Sequence, residues 1–188
     1  MKNKHGLPRY IPSEIRRAVR QRSGFGCVLC GCAIGEYEHV VPEFKNATSH
    51  EVDNIAYLCP TCHAKVTKGL LDKETVRQAM KEPWSIRHGH CHDAFLAGKE
   101  DAFVRLGGMS FYNCIALSVD NVPIFGILPP QQKGQPYRLF GIFTDSTGQV
   151  TLRIEDNEWY GNAQIWDIRP LAKVTKRQFP GCKWLRSS

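Results

Sequence analysis

The sequence predicts an α+β protein in which a helical, cysteine-rich N-terminal region precedes a mainly antiparallel β region. Two Cys-x-x-Cys pairs lie in the first half of the chain, with apolar residues at helical spacing on either side of them. From Phe111 onward, β-branched and aromatic runs alternate with turn residues. We place the boundary near residue 105, which divides the chain into regions 1–105 and 106–188.

The N-terminal region contains start and stop signals for several short elements. Ser13 and Asp72 are the expected N-caps of two helices, because their side chains can accept hydrogen bonds from free backbone N–H groups. Residues 37–41 favour a short strand or hairpin that ends at Pro42. The expected helices span residues 12–22, 63–68, 72–80 and 84–98.

The residue pattern of the C-terminal region predicts strands joined by tight turns. Asp120-Asn121 and residues 145–148 are expected hairpin turns, and the proline-rich stretch 129–136 is an expected loop. Between them lie runs that are rich in Val, Ile, Phe, Tyr and Trp, which favour strands. The expected strands span residues 112–119, 122–128, 138–144, 149–154 and 159–168.

Composition and charge favour a folded protein with a polyanionic partner. The 188 residues are 42% hydrophobic and 23% charged, which is ordinary for a globular chain. Lys and Arg number 25 against 18 Asp and Glu, so the formal net charge is +7. This excess favours nucleic acid or an acidic membrane surface as the partner.

The chain is expected to be cytoplasmic and to stay out of membranes. Residues 1–10 lack the apolar region of a secretion signal, and no stretch approaches the roughly 18 continuous apolar residues of a membrane span. Eight cysteines would suit a secreted disulfide scaffold. Without a signal segment, the two Cys-x-x-Cys pairs instead indicate metal ligation in a reducing compartment.

The two pairs are the expected ligands of a structural zinc. Each pair presents two thiolates on a tight turn, and four thiolates satisfy the tetrahedral preference of zinc. The 28 residues between the pairs can hold two strands and a loop, so the metal would tie together both ends of that segment. Buried or redox-active cysteines are the alternative, and Cys32 is a nearby spare thiol. The expected zinc ligands are Cys27, Cys30, Cys59 and Cys62.

Between and beside these cysteines lies a second motif. It consists of Glu38-His39 followed by Pro42, then Asn54, then His63 directly after the second cysteine pair. This order resembles the HNH endonuclease family, also called the ββα-metal nucleases, in its variant with two Cys-x-x-Cys pairs, over about residues 13 to 70. The resemblance implies a zinc-stapled ββα-metal module and a metal-dependent endonuclease that hydrolyses phosphodiester bonds in DNA. Bacterial defence or restriction of foreign DNA is the setting that it implies.

Each residue of the motif has an expected catalytic role. His39 is the expected general base, because an imidazole of ordinary pKa near 6.5 can take a proton from water near neutral pH. The resemblance implies that Glu38 and His63 bind a catalytic divalent metal (Mg²⁺, Mn²⁺, Ni²⁺ or Zn²⁺) and that Asn54 holds the base-bearing loop through hydrogen bonds. Adjacent strand residues point to opposite faces, so Glu38 and His39 reach one phosphate only if the strand ends or twists there.

Clusters of basic residues are expected to contact nucleic-acid phosphates, although such runs are also common on solvated faces. One cluster lies on the helix over residues 12–22, one follows His63, and one forms the C-terminal tail. A cluster of three histidines around Cys91 is a weaker candidate for a second metal site. The expected nucleic-acid contacts are Arg16, Arg17, Arg20, Lys65 and Lys68, with Lys173, Lys176, Arg177, Lys183 and Arg186 in the tail.

Three functional hypotheses remain open at this point. The first is the DNA endonuclease, and the second is a catalytically inactive zinc-dependent nucleic-acid-binding or adaptor protein. The third is an enzyme that acts on RNA or nicks one strand. The β-rich region 106–188 contains no recognisable catalytic spacing, so target recognition, docking of a partner protein or homodimer formation are its expected roles.

Overall fold

The computed structural model describes residues 2–94 and 103–164. The basic C-terminal tail, the end of the strand expected over 159–168 and the end of the helix expected over 84–98 lie outside the described residues. The protein is mixed α/β, with a mainly antiparallel sheet in its C-terminal part. None of the helices in the described ranges has the length and apolarity that crossing a membrane requires.

The described N-terminal part contains a two-stranded hairpin and four helices. Strands β1 and β2 pair antiparallel, with Glu36 opposite Leu58 and His39 opposite Ile55. A short 3₁₀ turn at Val52–Asn54 leads directly into β2. The elements are α1 (Ser13–Arg22), β1 (Glu36–His39), β2 (Ile55–Leu58), α2 (Pro60–Thr67), α3 (Lys73–Lys81) and α4 (Trp84–His88).

Residues typical of helix starts are found where α3 and α2 begin, whereas α1 begins at a different residue from the one predicted. The Asp72 side chain accepts a hydrogen bond from the Thr75 N–H at 2.7 Å, which confirms it as the N-cap of α3. Helix α2 begins at Pro60, a residue suited to the first helical turn because its missing N–H costs nothing there. The prediction for Ser13 is wrong, because it is the first helical residue of α1 and Pro12 occupies the cap position.

The C-terminal part is one six-stranded antiparallel sheet with a separate hairpin beside it. The sheet has the order β3-β10-β9-β8-β7-β6, and β4 pairs only with β5 among the described residues. Two strands coincide with their predicted ranges, β7 and β8. The strands are β3 (His90–Ala94), β4 (Phe103–Leu106), β5 (Met109–Tyr112), β6 (Ile115–Val119), β7 (Val122–Leu128), β8 (Arg138–Thr144), β9 (Val150–Glu155) and β10 (Glu158–Asn162).

Tight turns set the register of this sheet. Asp120 and Asn121 have φ of 49° and 64°, the left-handed pair that a two-residue hairpin needs, which confirms the predicted turn. Asp156 and Asn157 form an equivalent turn between β9 and β10, with φ of 46° and 73°, that the sequence analysis missed. The Asn157 side chain also accepts a hydrogen bond from the Leu139 N–H at 2.8 Å, so this turn is anchored to β8.

Strand β3 corrects the prediction for residues 84–98. The helix ends at His88, Gly89 adopts a left-handed φ of 77°, and the chain then enters the sheet beside β10. On its other side, β3 contacts the first cysteine turn, because the His92 N–H donates to Gly31 O at 3.0 Å and His92 O accepts from the Ala33 N–H at 2.9 Å. Thus β3 connects the cysteine turn to the C-terminal sheet.

Buried side chains join both parts of the described chain. One cluster packs the hairpin against the helices and includes Val40, Leu58 and Val76. Another brings Phe25 and Ala33 of the N-terminal part against Cys91, Ile154 and Trp159 of the sheet. A third surrounds α1 and contains Ile11, Val19, Ile55 and Tyr57. The hairpin that carries the functional candidates therefore has packed neighbours on more than one side.

Candidate functional site

The four predicted zinc ligands lie together beside the hairpin. Their Sγ atoms all lie within 4.8 Å of one another, with 3.7 Å between Cys30 and Cys59 and 3.9 Å between Cys30 and Cys62. A tetrahedral zinc with Zn–S bonds of about 2.3 Å requires Sγ–Sγ separations of about 3.8 Å. The donor set and its spacing fit, so this cluster could hold a structural metal such as zinc.

The local backbone positions these thiols. The first pair lies on a turn closed by the Cys27 N–H donating to Cys32 O and the Gly31 N–H donating to Cys27 O, both at 2.8 Å. A side chain at Gly31 would overlap the Trp84 ring, which lies about where its Cβ would stand. The second pair lies at the start of α2, where the Cys62 N–H points at the Cys59 sulfur at 3.4 Å.

Hydrogen bonding among the thiols concentrates negative charge on one of them. The Cys30 side chain holds the pKa of Cys27 at about 5 through their hydrogen bond, and the same bond raises the pKa of Cys30 far above its ordinary value. Burial raises the pKa of Cys62 to about 12. A divalent cation would offset the charge of further thiolates, which is the usual reason that such clusters bind metal.

The spare thiol Cys32 is outside this cluster. Its Sγ lies 3.3 Å from Asp93 Oδ2, and burial raises its pKa to about 12. The four thiols that lie together are therefore those of the two Cys-x-x-Cys pairs.

Glu38 and His63 come together between β1 and α2. His63 Nε2 lies 3.2 Å from Glu38 Oε2, and its Nδ1 lies 3.2 Å from Glu36 Oε2. Glu36 and Glu38 share one face of β1 because they are two residues apart on the strand. The His63 ring thus lies between two carboxylates. Glu36 is not among the residues predicted from the sequence, although its spacing from Glu38 is a usable signal.

A lysine that sequence analysis also missed completes this cluster. Lys73, at the start of α3, lies with Nζ 2.9 Å from Glu38 Oε1 and 3.4 Å from Glu43 Oε1, and it donates to His39 O at 3.2 Å. Its side chain is 28% exposed. Lys73 therefore neutralises part of the acidic charge and ties α3 to the end of β1.

His39 is the last residue of β1, so the strand ends there, and its ring has different neighbours from the Glu38 carboxylate. It is only 6% exposed and packs against the rings of Phe44 and His50, with centroids 5.4 and 5.2 Å away. Its Nε2 lies 3.1 Å from His50 Nδ1. Burial lowers the pKa of His39, and the adjacent His50 lowers it further, so the ring is neutral near pH 7.

Asn54 contacts the segment that follows His39 through its backbone. Asn54 O accepts a hydrogen bond from the Val40 N–H at 2.9 Å, directly after His39. Its side-chain amide instead donates to Glu51 Oε2 at 3.0 Å. Asn54 thus links the end of β1 to the turn before β2, with the side chain holding the turn.

The arginines of α1 are less exposed than expected. Arg20 is 7% exposed and donates from Nη1 to the Tyr37 hydroxyl at 2.6 Å, so it does not lie on the outer face of α1. Arg16 and Arg17 are half-buried, and Arg16 donates to the Tyr10 hydroxyl at 3.2 Å. Lys65 and Lys68 are exposed, but residues two apart on a helix do not share a face, so Lys65 points away from His63.

The histidine cluster around Cys91 makes structural contacts. His88 Nδ1 lies 2.7 Å from Trp84 O, and His92 Nε2 lies 2.9 Å from Cys30 O. The Trp84 ring stacks on His88 with centroids 3.9 Å apart. Within residues 2–94 and 103–164, the four cysteines are the one group of three or more His, Cys, Asp or Glu side chains whose ligand atoms are close enough to share a metal.

Comparison with known proteins gives no relative. No family model, curated protein or solved structure matches this chain.

Proposed function

We propose that the protein is a metal-dependent endonuclease of the HNH type that hydrolyses phosphodiester bonds in DNA. The observation that carries the proposal is the contact between Glu38 and His63 across β1 and α2, with His39 as the next residue of the strand. The order of elements, two antiparallel strands followed by a helix, also agrees with the ββα module that the motif implies.

Each side chain has a defined task in this proposal. His39 takes the proton from the attacking water, since its lowered pKa keeps it neutral and able to accept that proton. Glu38 and His63 would hold a divalent cation, which supplies positive charge at the phosphate and the leaving oxygen. Glu36 Oε2 lies 3.2 Å from His63 Nδ1, so its negative charge favours a hydrogen on that atom and leaves Nε2 for the contact with Glu38.

The cysteine cluster gives this arrangement rigidity. Cys59 and Cys62 flank the start of α2, the helix that carries His63, whereas Cys27 and Cys30 precede β1. A zinc shared by the four thiols would fix α2 relative to β1 and so preserve the distance between Glu38 and His63. Catalytic groups need support of this kind to stay within a few tenths of an ångström of a productive geometry.

The net charge of +7 supports a polyanionic substrate. We propose that Arg16, Arg17, Lys65 and Lys68 contact phosphates and that the β-rich part recognises the target or docks a partner. Defence against foreign DNA is the proposed setting, with RNA as an alternative substrate.

Two observations favour a second candidate, a nucleic-acid-binding or adaptor protein without catalysis. Lys73 already contacts Glu38, and His39 is 6% exposed, so both groups have partners that compete with metal and water. In this alternative the same contacts serve only to stabilise the hairpin.

A cleavage assay separates the two candidates. Purified, zinc-loaded protein is incubated with supercoiled plasmid, linear duplex, single-stranded DNA or RNA, each with Mg²⁺, Mn²⁺ or Ni²⁺. Metal-dependent cuts within DNA would support the endonuclease, and conversion to open circles or linear molecules would distinguish nicking from double-strand cleavage. Binding without cleavage of any substrate would favour the adaptor.

A further inference from the structure

His39 is the first member of a hydrogen-bonded chain that ends on a backbone carbonyl. His39 Nε2 lies 3.1 Å from His50 Nδ1, and His50 Nε2 lies 2.9 Å from Pro8 O. His50 is eleven residues away from His39 in sequence and forms no part of the motif that identified the catalytic candidates.

The carbonyl fixes where the protons lie. A carbonyl oxygen can only accept, so His50 Nε2 must carry the hydrogen that it donates to Pro8 O. In a neutral His50 ring, Nδ1 is then an acceptor, and the hydrogen between the two rings belongs to His39 Nε2. A neutral His39 ring that carries its hydrogen on Nε2 has an unprotonated Nδ1.

The unprotonated atom is the one with no competing partner. Within the part of the chain that the structure describes, the His39 ring forms a hydrogen bond only through Nε2. Phe44 and His50 pack against this ring and restrict its rotation. Among the described residues, Nε2 therefore has a hydrogen-bond partner and Nδ1 has none.

The N-terminal segment holds this chain in place. The Asn3 side-chain amide donates to Phe44 O and to Ala47 O, in the latter case at 2.7 Å, and its Oδ1 accepts from the Leu7 N–H at 3.0 Å. These bonds attach the segment that carries Pro8 to the loop that precedes His50. The Pro8 carbonyl is thus held at its position by contacts outside the hairpin.

We propose that His50 is a positioning residue that fixes the tautomer of His39 and makes His39 Nδ1 the proton-accepting atom. The catalytic meaning of this assignment rests on the proposed endonuclease function, but the tautomer itself does not. Residues that orient a functional side chain in this way typically contribute about 10- to 100-fold to activity.

The tautomer is measured directly by two-bond ¹H–¹⁵N correlation spectra of the zinc-loaded full-length protein near neutral pH. The wild type is expected to show His39 with a protonated Nε2 and an unprotonated Nδ1. His50→Ala should give a mixture of tautomers, whereas His5→Ala, which removes an exposed histidine from the same N-terminal segment, should leave the His39 signals unchanged. A protonated Nδ1 on His39 in the wild type would overturn the assignment.

Kinetics tests the consequence of that tautomer. His50→Ala should lower the single-turnover cleavage rate by about 10- to 100-fold with unchanged DNA affinity and zinc content. His50→Asn should recover part of the rate, because the Asn oxygen can accept from His39 Nε2–H. Equal rates for His50→Ala and the wild type would overturn the positioning role. If the wild type cuts nothing, the endonuclease function fails, and the spectra still decide the tautomer.

Discussion

Acidification should weaken zinc binding by the cysteine cluster, and the size of the effect should report how many protons are released when zinc binds. The raised pKa values of Cys30 and Cys62 mean that both thiols hold protons at pH 7, whereas Cys27, with a pKa of about 5, does not. Binding of zinc as thiolate ligands therefore releases at least two protons. Because the metal-free protein binds these protons, zinc affinity falls as pH falls, by about 100-fold per pH unit, or about 2.7 kcal/mol.

The assay is competition with a chelator of known affinity at several pH values between 6 and 8. A plot of the logarithm of the dissociation constant against pH should have a slope of magnitude two or more. Cys59→Ser/Cys62→Ser should lose both the metal and cooperative unfolding. Cys32→Ser is the matched control and should retain zinc, because its thiol contacts Asp93 instead. A slope of one or less, or full zinc retention in the double variant, would refute the assignment of the four thiols.

Three further outcomes are expected. Replacing Arg16 and Arg17 together by Ala should weaken DNA binding and reduce its salt dependence. Arg20→Ala should instead lower the free energy of unfolding, measured by denaturation, by about 1–3 kcal/mol, because the hydrogen bond to the Tyr37 hydroxyl is lost. The pKa of the acidic limb of the kcat/KM profile for cleavage should lie below about 6.5, the ordinary pKa of imidazole, because burial lowers the pKa of His39. An acidic limb with a pKa above about 6.5 would contradict this prediction. Lys73→Met should reduce the Mn²⁺ concentration for half-maximal cleavage by about two- to five-fold, since a partly exposed ion pair with the carboxylate of Glu38 contributes at most about 1 kcal/mol. An increased Mn²⁺ requirement would show that Lys73 assists catalysis.

Local sequence signals predicted most strands of the sheet but could not predict that residues 90–94 also form one of its strands. Runs such as Val122–Leu128 combine strand-favouring residues with defined turns, so their bounds follow from local preferences. His90–Ala94 has no such pattern, and it forms a strand because β10 and the cysteine turn supply hydrogen-bond partners on its two sides. Contacts of this kind join residues far apart in sequence, and periodicity does not report them.

The same limit applies to the site. The motif residues Glu38 and His63 could be expected near each other because both belong to a short segment tied by the cysteine pairs. Lys73 and His50 had no signature, since a lysine near a helix start and a histidine in a polar loop are commonly solvated. Arg20 was assigned to an exposed face from helical spacing alone, but α1 packs against the hairpin, where Tyr37 accepts its hydrogen bond.

In the proposed mechanism, His39 acts in the chemical step, whereas Glu38 and His63 act through a metal. The most direct measurement is single-turnover cleavage of a labelled DNA duplex across a Mn²⁺ titration, with zinc content and DNA affinity measured for each variant. His39→Ala should lose about 10²- to 10⁴-fold in rate at every Mn²⁺ concentration, with DNA affinity unchanged. Glu38→Ala and His63→Ala should recover part of their rate at high Mn²⁺. Cleavage by His39→Ala at the wild-type rate would contradict the account and place the active site elsewhere.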